Sequence, residues 1–355
     1  MTTDTVNKKQ HNETFEVHEC FGKDLIDRYD GFILDQFGVL HNGVHGLEGA
    51  PDLVRKLANA DEFNKKLVIL SNSSSSSASC KAKLPVLGFD SKDFVNAVTS
   101  GEEAGRHIRD EYSEGSTSSD EKKKTKTKKA LWFTWKTSKA LSPLRFLELC
   151  GNVPVTVDPN EADYVILHGV DLLRGAGEDG TAAEISLGEF HISGKMDENE
   201  NSKGEGGSST TTTTIESVLK ICSDRGLPMV CANPDFIMVK PDGSTGHMPG
   251  TIAKRYEELG GSCTSFGKPH VSHFEACLRD LGLPRHKVVH VGDSLHHDVK
   301  GANESGIDSV FVAGGIHRTE LGSELNEVPS KDALHQLFEK HDLMPTHVVP
   351  MFRMQ

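Results

Sequence analysis

Four short apolar runs, each broken by a polar or glycine-bearing turn, constrain the fold of this chain more than any other feature. They are Phe32-Ile33-Leu34 before Asp35, Leu67-Val68-Ile69-Leu70 before Ser71, Val288-Val289-His290-Val291 before Gly292-Asp293, and Val310-Phe311-Val312 before Gly314-Gly315. Runs that are largely apolar, without polar alternation, suit strands covered on both faces, the habit of parallel sheets. Helix-like stretches lie between them, at 51–59, 272–281 and 299–306, the last ending in a glycine cap at Gly306. The alternation predicts a doubly wound, Rossmann-like parallel α/β sheet, in which ligands bind beyond the carboxyl ends of the strands. The polar residues that follow the runs all fall at that edge.

The interval from Ser71 to Lys268 is far too long for one crossover, which needs little more than about a dozen residues. A second domain is expected there. Its strand candidates are Leu131-Trp132-Phe133, Val153-Pro154-Val155, Tyr164-Val165-Ile166-Leu167 and Pro228-Met229-Val230-Cys231, with helical stretches at 141–149 and 215–224. The insert is therefore also α/β. Two segments within it, 111–129 (EYSEGSTSSDEKKKTKTKK) and 197–214 (ending SSTTTTT), lack the apolar residues needed to offset the entropy of ordering. They are expected to be disordered surface inserts. The lysine run of the first also suits a nuclear signal or an anion-binding patch, with a solvated insert as the preferred reading.

Composition excludes several function classes. A formal charge of −13 over 355 residues opposes binding to nucleic acid. No apolar run approaches the ~18 residues of a membrane span, and the first twenty residues, carrying Asp4, Glu13, Glu16 and Glu19, lack the apolar core of a secretory signal. An intracellular, cytoplasmic location without membrane association is expected. Seven scattered cysteines with no C-x-x-C pair point to reduced thiols rather than disulfides or zinc.

The chemistry concentrates at four strand-edge features: Asp35 in D-Q-F-G-V-L, Ser71 in I-L-S-N, Lys268 in F-G-K-P-H, and Asp293 with Asp298 in V-G-D-S-L-H-H-D. Brought together, they would put three carboxylates in one pocket with a hydroxyl and an ammonium. Bare carboxylates at such range raise one another's pKa, so a divalent cation is the simple way to keep them ionised. An oxygen-only donor set suits Mg²⁺, which also takes substrate phosphate oxygen. Lys268 and Ser71 would then hold the remaining phosphate oxygens. Asn72 suits either phosphate orientation or a turn at the strand end. Gly43, Gly46 and Gly49 have no P-loop spacing and read as a flap and turns. His270, His273, His296 and His297 lack a third ligand motif and read as hydrogen-bonding neighbours of the site rather than as a metal centre.

This constellation resembles the four motifs of the haloacid dehalogenase superfamily over roughly residues 29–321. The resemblance implies that Asp35 is the nucleophile that forms an aspartyl-phosphate, that Ser71 and Lys268 match the second and third motifs, and that Asp293 and Asp298 match the acidic pair of the fourth. It implies Mg²⁺ held by Asp35, the backbone carbonyl of Phe37, Asp293 and Asp298, the last directly or through water. The insertion after Ser71 and the string A-N-P-D at 232–235 look like subclass IIA, whose larger α/β cap lies between the second and third motifs. The implied division is an N-terminal tail (1–20), a core (21–100 and 231–325), a cap (101–230) and a C-terminal extension (326–355). The implied partner is a small phosphorylated metabolite, and caps of this subclass imply a homodimer.

One position departs from the family. Its phosphatases carry a second aspartate two residues after the nucleophile, as proton donor and later as base. Here that residue is Phe37. Positioned acid–base catalysis is typically worth ~10²–10⁴ in rate, and His41 is the nearest titratable side chain able to compensate. The leading expectation is a phosphatase. A phosphometabolite-binding pseudoenzyme with negligible turnover is the alternative, and a scaffold acting through the inserts is a third. A dehalogenase is disfavoured, because Asp293 and Asp298 would confront a haloalkanoate carboxylate with uncompensated negative charge.

Overall fold

A computed structural model describes residues 14–113, 128–136, 143–176, 181–187, 214–239 and 244–355. The described residues form two compact units, one within 1–69, 87–95 and 277–355 and the other within 70–86 and 96–276.

In the first unit, parallel strands run in the order Glu16–Val17, His347–Val349, Asp308–Val312, Val288–Gly292, Gly31–Leu34 and Lys66–Ser71, the last two residues of which belong to the second unit. Every residue of Gly31–Leu34 and Val288–Gly292 is buried, as two-sided coverage requires. Each large apolar side chain so buried contributes about 1.5–3 kcal/mol relative to exposure. Gly31–Leu34 is followed in sequence by Lys66–Ser71 on one side and paired with Val288–Gly292 on the other, with Val291 opposite Leu34. A crevice opens where strand order reverses in this way.

The crossover helix Ala50–Ala58 starts at Gly49, whose φ of 78° a side chain would oppose, and carries proline in its first turn. It buries Ala50, Leu53, Val54 and Leu57, the spacing of one helical face. The helix expected at 299–306 begins earlier, as a π turn at Leu295–Val299, and continues as Lys300–Glu304. In the π turn the Val299 amide donates to Ser294 O (3.2 Å), five residues back. The expected tail and C-terminal extension both hold strands. Glu16 lies opposite His347, and Val310 lies opposite His347 on its other side. Helix Lys331–His341 adds Leu334, Leu337 and Phe338 to the core around Phe311 and Val348.

In the second unit the sheet order is Ser262–Ser265, Pro228–Cys231, Tyr164–Leu167, Ala130–Thr134, Val155–Thr156, Leu172–Ala176 and Ala182–Ser186. The first four are mutually parallel, and the last two form an antiparallel hairpin. Side chains alternate between two cores. Leu131, Phe133, Val165 and Leu167 face one, with Val218 and Leu219 of helix Ile215–Asp224 and Ile252 and Tyr256 of helix Pro249–Glu258. Ala130, Trp132, Tyr164 and Ile166 face the other, with Ala104 and Ile108 of helix Ser100–Tyr112 and Phe146 and Leu147 of helix Pro143–Leu149.

Of the segments expected to be disordered, 114–127 and 197–213 lie outside the described residues. Their ends are ordered: Glu111 and Tyr112 complete helix Ser100–Tyr112, and Thr214 caps helix Ile215–Asp224 by accepting from the Ser217 amide (3.2 Å). Among the described residues, no helix is long and apolar enough to cross a membrane.

Candidate active site

Asp35 is the first residue beyond Leu34, and its amide donates to Val291 O (2.9 Å), carrying the strand pairing one step past the edge. Asp293 follows Gly292 on the neighbouring strand, and Asp298 lies in the π turn. Asp35, Asp293 and Asp298 are all buried, and each offers an oxygen within 4.8 Å of the others. Three anions this close repel strongly away from water.

Each of the two later carboxylates is held by backbone. Asp293 Oδ2 accepts from the Ile316 amide (2.9 Å). The same oxygen sits in a slot between two glycines: a Cβ on Gly38 would stand 1.9 Å from it, and one on Gly315 2.1 Å. Asp298 Oδ2 accepts from the Ser294 amide (2.9 Å), a bond that the π turn brings within reach, and a Cβ on Gly292 would stand 2.1 Å from its Cγ.

Asp298 Oδ1 lies 2.8 Å from His290 Nε2, and His290 Nδ1 lies 3.0 Å from Ile33 O, with both side chains buried. A carbonyl only accepts, so Nδ1 carries a proton. The short contact on the other side then needs a second proton, shared between Nε2 and the carboxylate. His290 thereby offsets one of the three negative charges. What remains is a buried, oxygen-only set walled by glycine backbone, which fits a small hard cation such as Mg²⁺. His290 was hidden in the sequence because V-V-H-V reads as a strand interior.

Phe37 is 43% exposed, and its ring packs edge-on against His41 at 4.8 Å between centroids. His41 is buried, and its Nδ1 accepts from the Gly43 amide (3.1 Å). In that arrangement Nδ1 is unprotonated, so the ring is the neutral tautomer with its proton on Nε2. Donating as an imidazolium would require the Gly43 bond to be given up.

Ser71, Asn72 and Lys268 are all buried in the second unit. Ser71 Oγ accepts from the Ser73 amide (3.2 Å). The Lys268 amide donates to Asn72 Oδ1 (2.6 Å), and Asn72 Nδ2 donates to Asp235 Oδ1 (2.8 Å) and Lys268 O (3.3 Å). Asn72 is thus a clip on the Lys268 backbone, its carboxamide engaged on both sides. Gly267, at φ 111°, allows this approach, since a Cβ there would stand 2.3 Å from Asn72 Oδ1. The Gly267 amide donates to His273 Nε2 (3.0 Å), and burial lowers the pKa of His273 to about 4. His270, His273, His296 and His297 form no metal-ligand group among the described residues. The site residues therefore fall into two sets, each ordered within its own unit.

The comparisons bear on these motifs directly. Sequence models described as haloacid dehalogenase-like hydrolase match residues 32–129 and 207–306, and one described as HAD-hydrolase-like matches 265–348. A dihydroxyacetone phosphatase from Corynebacterium glutamicum (strain R) is 28% identical over 127 residues, 35% of this chain and 39% of that protein. A phospholysine phosphohistidine inorganic pyrophosphate phosphatase from Danio rerio is 42% identical over 52 residues, 15% of this chain and 19% of that protein. The match therefore spans well under half the length of these curated relatives. A haloacid dehalogenase-like hydrolase from Brucella suis 1330 shares the fold, with a TM-score of 0.60 and 22% identity across 92% of this chain and 96% of that one. With Asp35, Asp293 and Asp298 gathered at the strand edge that these models span, the chain belongs to the haloacid dehalogenase-like hydrolases.

Proposed function

We propose that this chain is a magnesium-dependent phosphatase of a small phosphorylated metabolite, acting through an aspartyl-phosphate on Asp35. The observation that carries this reading is the trio of buried carboxylates whose oxygens lie within 4.8 Å of one another. Asp35, Asp293 and the Phe37 backbone carbonyl would hold the ion. Asp298 would act through water, since both its oxygens already accept hydrogen bonds. Bound Mg²⁺ would neutralise these carboxylates and polarise phosphoryl oxygens.

In this reading an Asp35 oxygen bonds to phosphorus while the ester P–O bond breaks, and the leaving oxygen takes a proton from solvent or, once the Gly43 bond is released, from His41. Water then attacks phosphorus, its proton passing to solvent, the Asp35–phosphorus bond breaks and inorganic phosphate leaves. Lys268 and Ser71 would supply an ammonium and a hydroxyl to the remaining phosphate oxygens, with Asn72 fixing the Lys268 backbone. The cap, residues 101–230, would supply the substrate contacts. A panel of phosphorylated metabolites, assayed with and without magnesium, tests the reading. Hydrolysis that needs magnesium and disappears in Asp35→Asn supports it; metal-independent hydrolysis undiminished in both Asp35→Asn and Asp293→Asn removes it.

A further inference from the structure

A second cluster of side chains able to ligate a metal lies at one edge of the first unit's sheet, on the paired strands Glu16–Val17 and His347–Val349. Glu16 and His347 are register partners, and His18 is two residues beyond Glu16, its amide donating to Val348 O (2.9 Å). Strand periodicity therefore puts all three side chains on one face. Their ligand atoms lie within 4.8 Å of one another: His18 Nε2 is 3.2 Å from His347 Nδ1, and Glu16 Oε2 is 3.8 Å from each.

Hydrogen bonds outside the cluster fix which nitrogen of each ring faces inward. Tyr29 OH donates to Asp308 Oδ2 (2.8 Å), because a carboxylate only accepts. The Tyr29 oxygen, 2.8 Å from His347 Nε2, must then accept from that nitrogen. His347 Nδ1 is the nitrogen left facing His18 Nε2, 3.2 Å away. On the other ring, His18 Nδ1 faces Asp24 Oδ2 at 3.2 Å, so Nε2 is the nitrogen turned inward. Two ring nitrogens, with a carboxylate oxygen beside them, thus converge on one point.

We propose that Glu16, His18 and His347 form a zinc site that staples the edge strand Glu16–Val17 to its neighbour His347–Val349. Tetrahedral Zn²⁺ with ligands at about 2.0–2.1 Å separates neighbouring donor atoms by roughly 3.3 Å, close to the spacings seen here. The Tyr29–Asp308 pair is the outer support that a ligating histidine commonly has, fixing its tautomer and ring plane. Arg28 holds both Glu16 oxygens, Nη1 lying 2.9 Å from Oε1 and 2.8 Å from Oε2, and would keep Oε1 when Oε2 turns to the metal. Glu16 is 54% exposed, which leaves the fourth position to water.

The test is zinc titration of the full, chelator-treated chain by calorimetry, with X-ray absorption of the zinc-loaded protein. Asp293→Asn serves as the background that removes zinc binding at the catalytic carboxylates. The expected result is one zinc equivalent that survives in Asp293→Asn, shows two imidazole ligands, and is weakened at least tenfold by His18→Gln and by Glu16→Gln. Glu16 is half-exposed, so Glu16→Gln tests the cluster even should variants of His18 or of the buried His347 fail to fold. Zinc binding unchanged in His18→Gln, absorption without an imidazole pair, or no equivalent left in Asp293→Asn would each overturn the proposal.

Discussion

Gly315→Ala should disable the site without unfolding the chain. The added Cβ would stand 2.1 Å from Asp293 Oδ2, whereas real Cβ atoms essentially never come within 3.0 Å of a neighbour. The carboxylate must therefore retreat by roughly 1 Å, and a misplacement of that size at a reacting centre costs about 10²-fold in rate. Retreat also breaks the bond from the Ile316 amide to the same oxygen (2.9 Å), worth about 1.5–3 kcal/mol for a charged acceptor. Gly38 walls the other side of the oxygen and blocks an alternative resting place. Steady-state hydrolysis across a magnesium titration, with urea unfolding in parallel, reads both effects. Gly282→Ala is the control: at φ 60° with nothing within 4 Å of the new Cβ, it should lose about 1–2 kcal/mol of stability and keep its rate. A folded Gly315→Ala enzyme with wild-type rate and magnesium half-saturation would refute the reasoning.

Phe37→Asp should speed alkyl phosphate hydrolysis by ~10²–10⁴, since Phe37 is 43% exposed and its ring contributes little to the core; a wild-type rate that is already independent of leaving-group pKa would show that another residue supplies the proton. His273, whose pKa falls in the folded state from 6.5 to about 4, binds more protons unfolded, so its stabilising contribution is full above pH 6.5 and is lost as the pH drops toward 4. The urea midpoint should fall across that window and fall less in His273→Gln, and equal slopes in the two proteins would contradict this.

Asp35 and Asp293 were legible in the sequence because each follows an apolar run at a strand edge, where parallel sheets place ligands, and Asp298 because it lies five residues beyond Asp293 in the same motif. Helix bounds followed from apolar spacing, as at Ala50–Ala58, within a residue or so. Other features escaped for definable reasons. Glu16–Val17 and His347–Val349 are too short to carry a pattern, and their pairing joins positions more than three hundred residues apart. The strands Leu172–Ala176 and Ala182–Ser186 are short and rich in small residues that resemble loop. His290 and the glycine slot around Asp293 act through a proton count and a close approach, neither of which has a sequence period. Asn72 could be singled out but not assigned, because its partners are the Lys268 backbone and Asp235, more than 160 residues away.

The central claim, that Asp35 is the nucleophile, is tested most directly by acid-quenching the protein during turnover of a reactive aryl or acyl phosphate with magnesium and mapping the phosphoryl group by peptide mass spectrometry. The account predicts a single phosphorylated peptide with the group on Asp35, absent in Asp35→Asn and absent without magnesium. Turnover at the wild-type rate in Asp35→Asn, or a phosphoryl group mapped to a different residue, would contradict it.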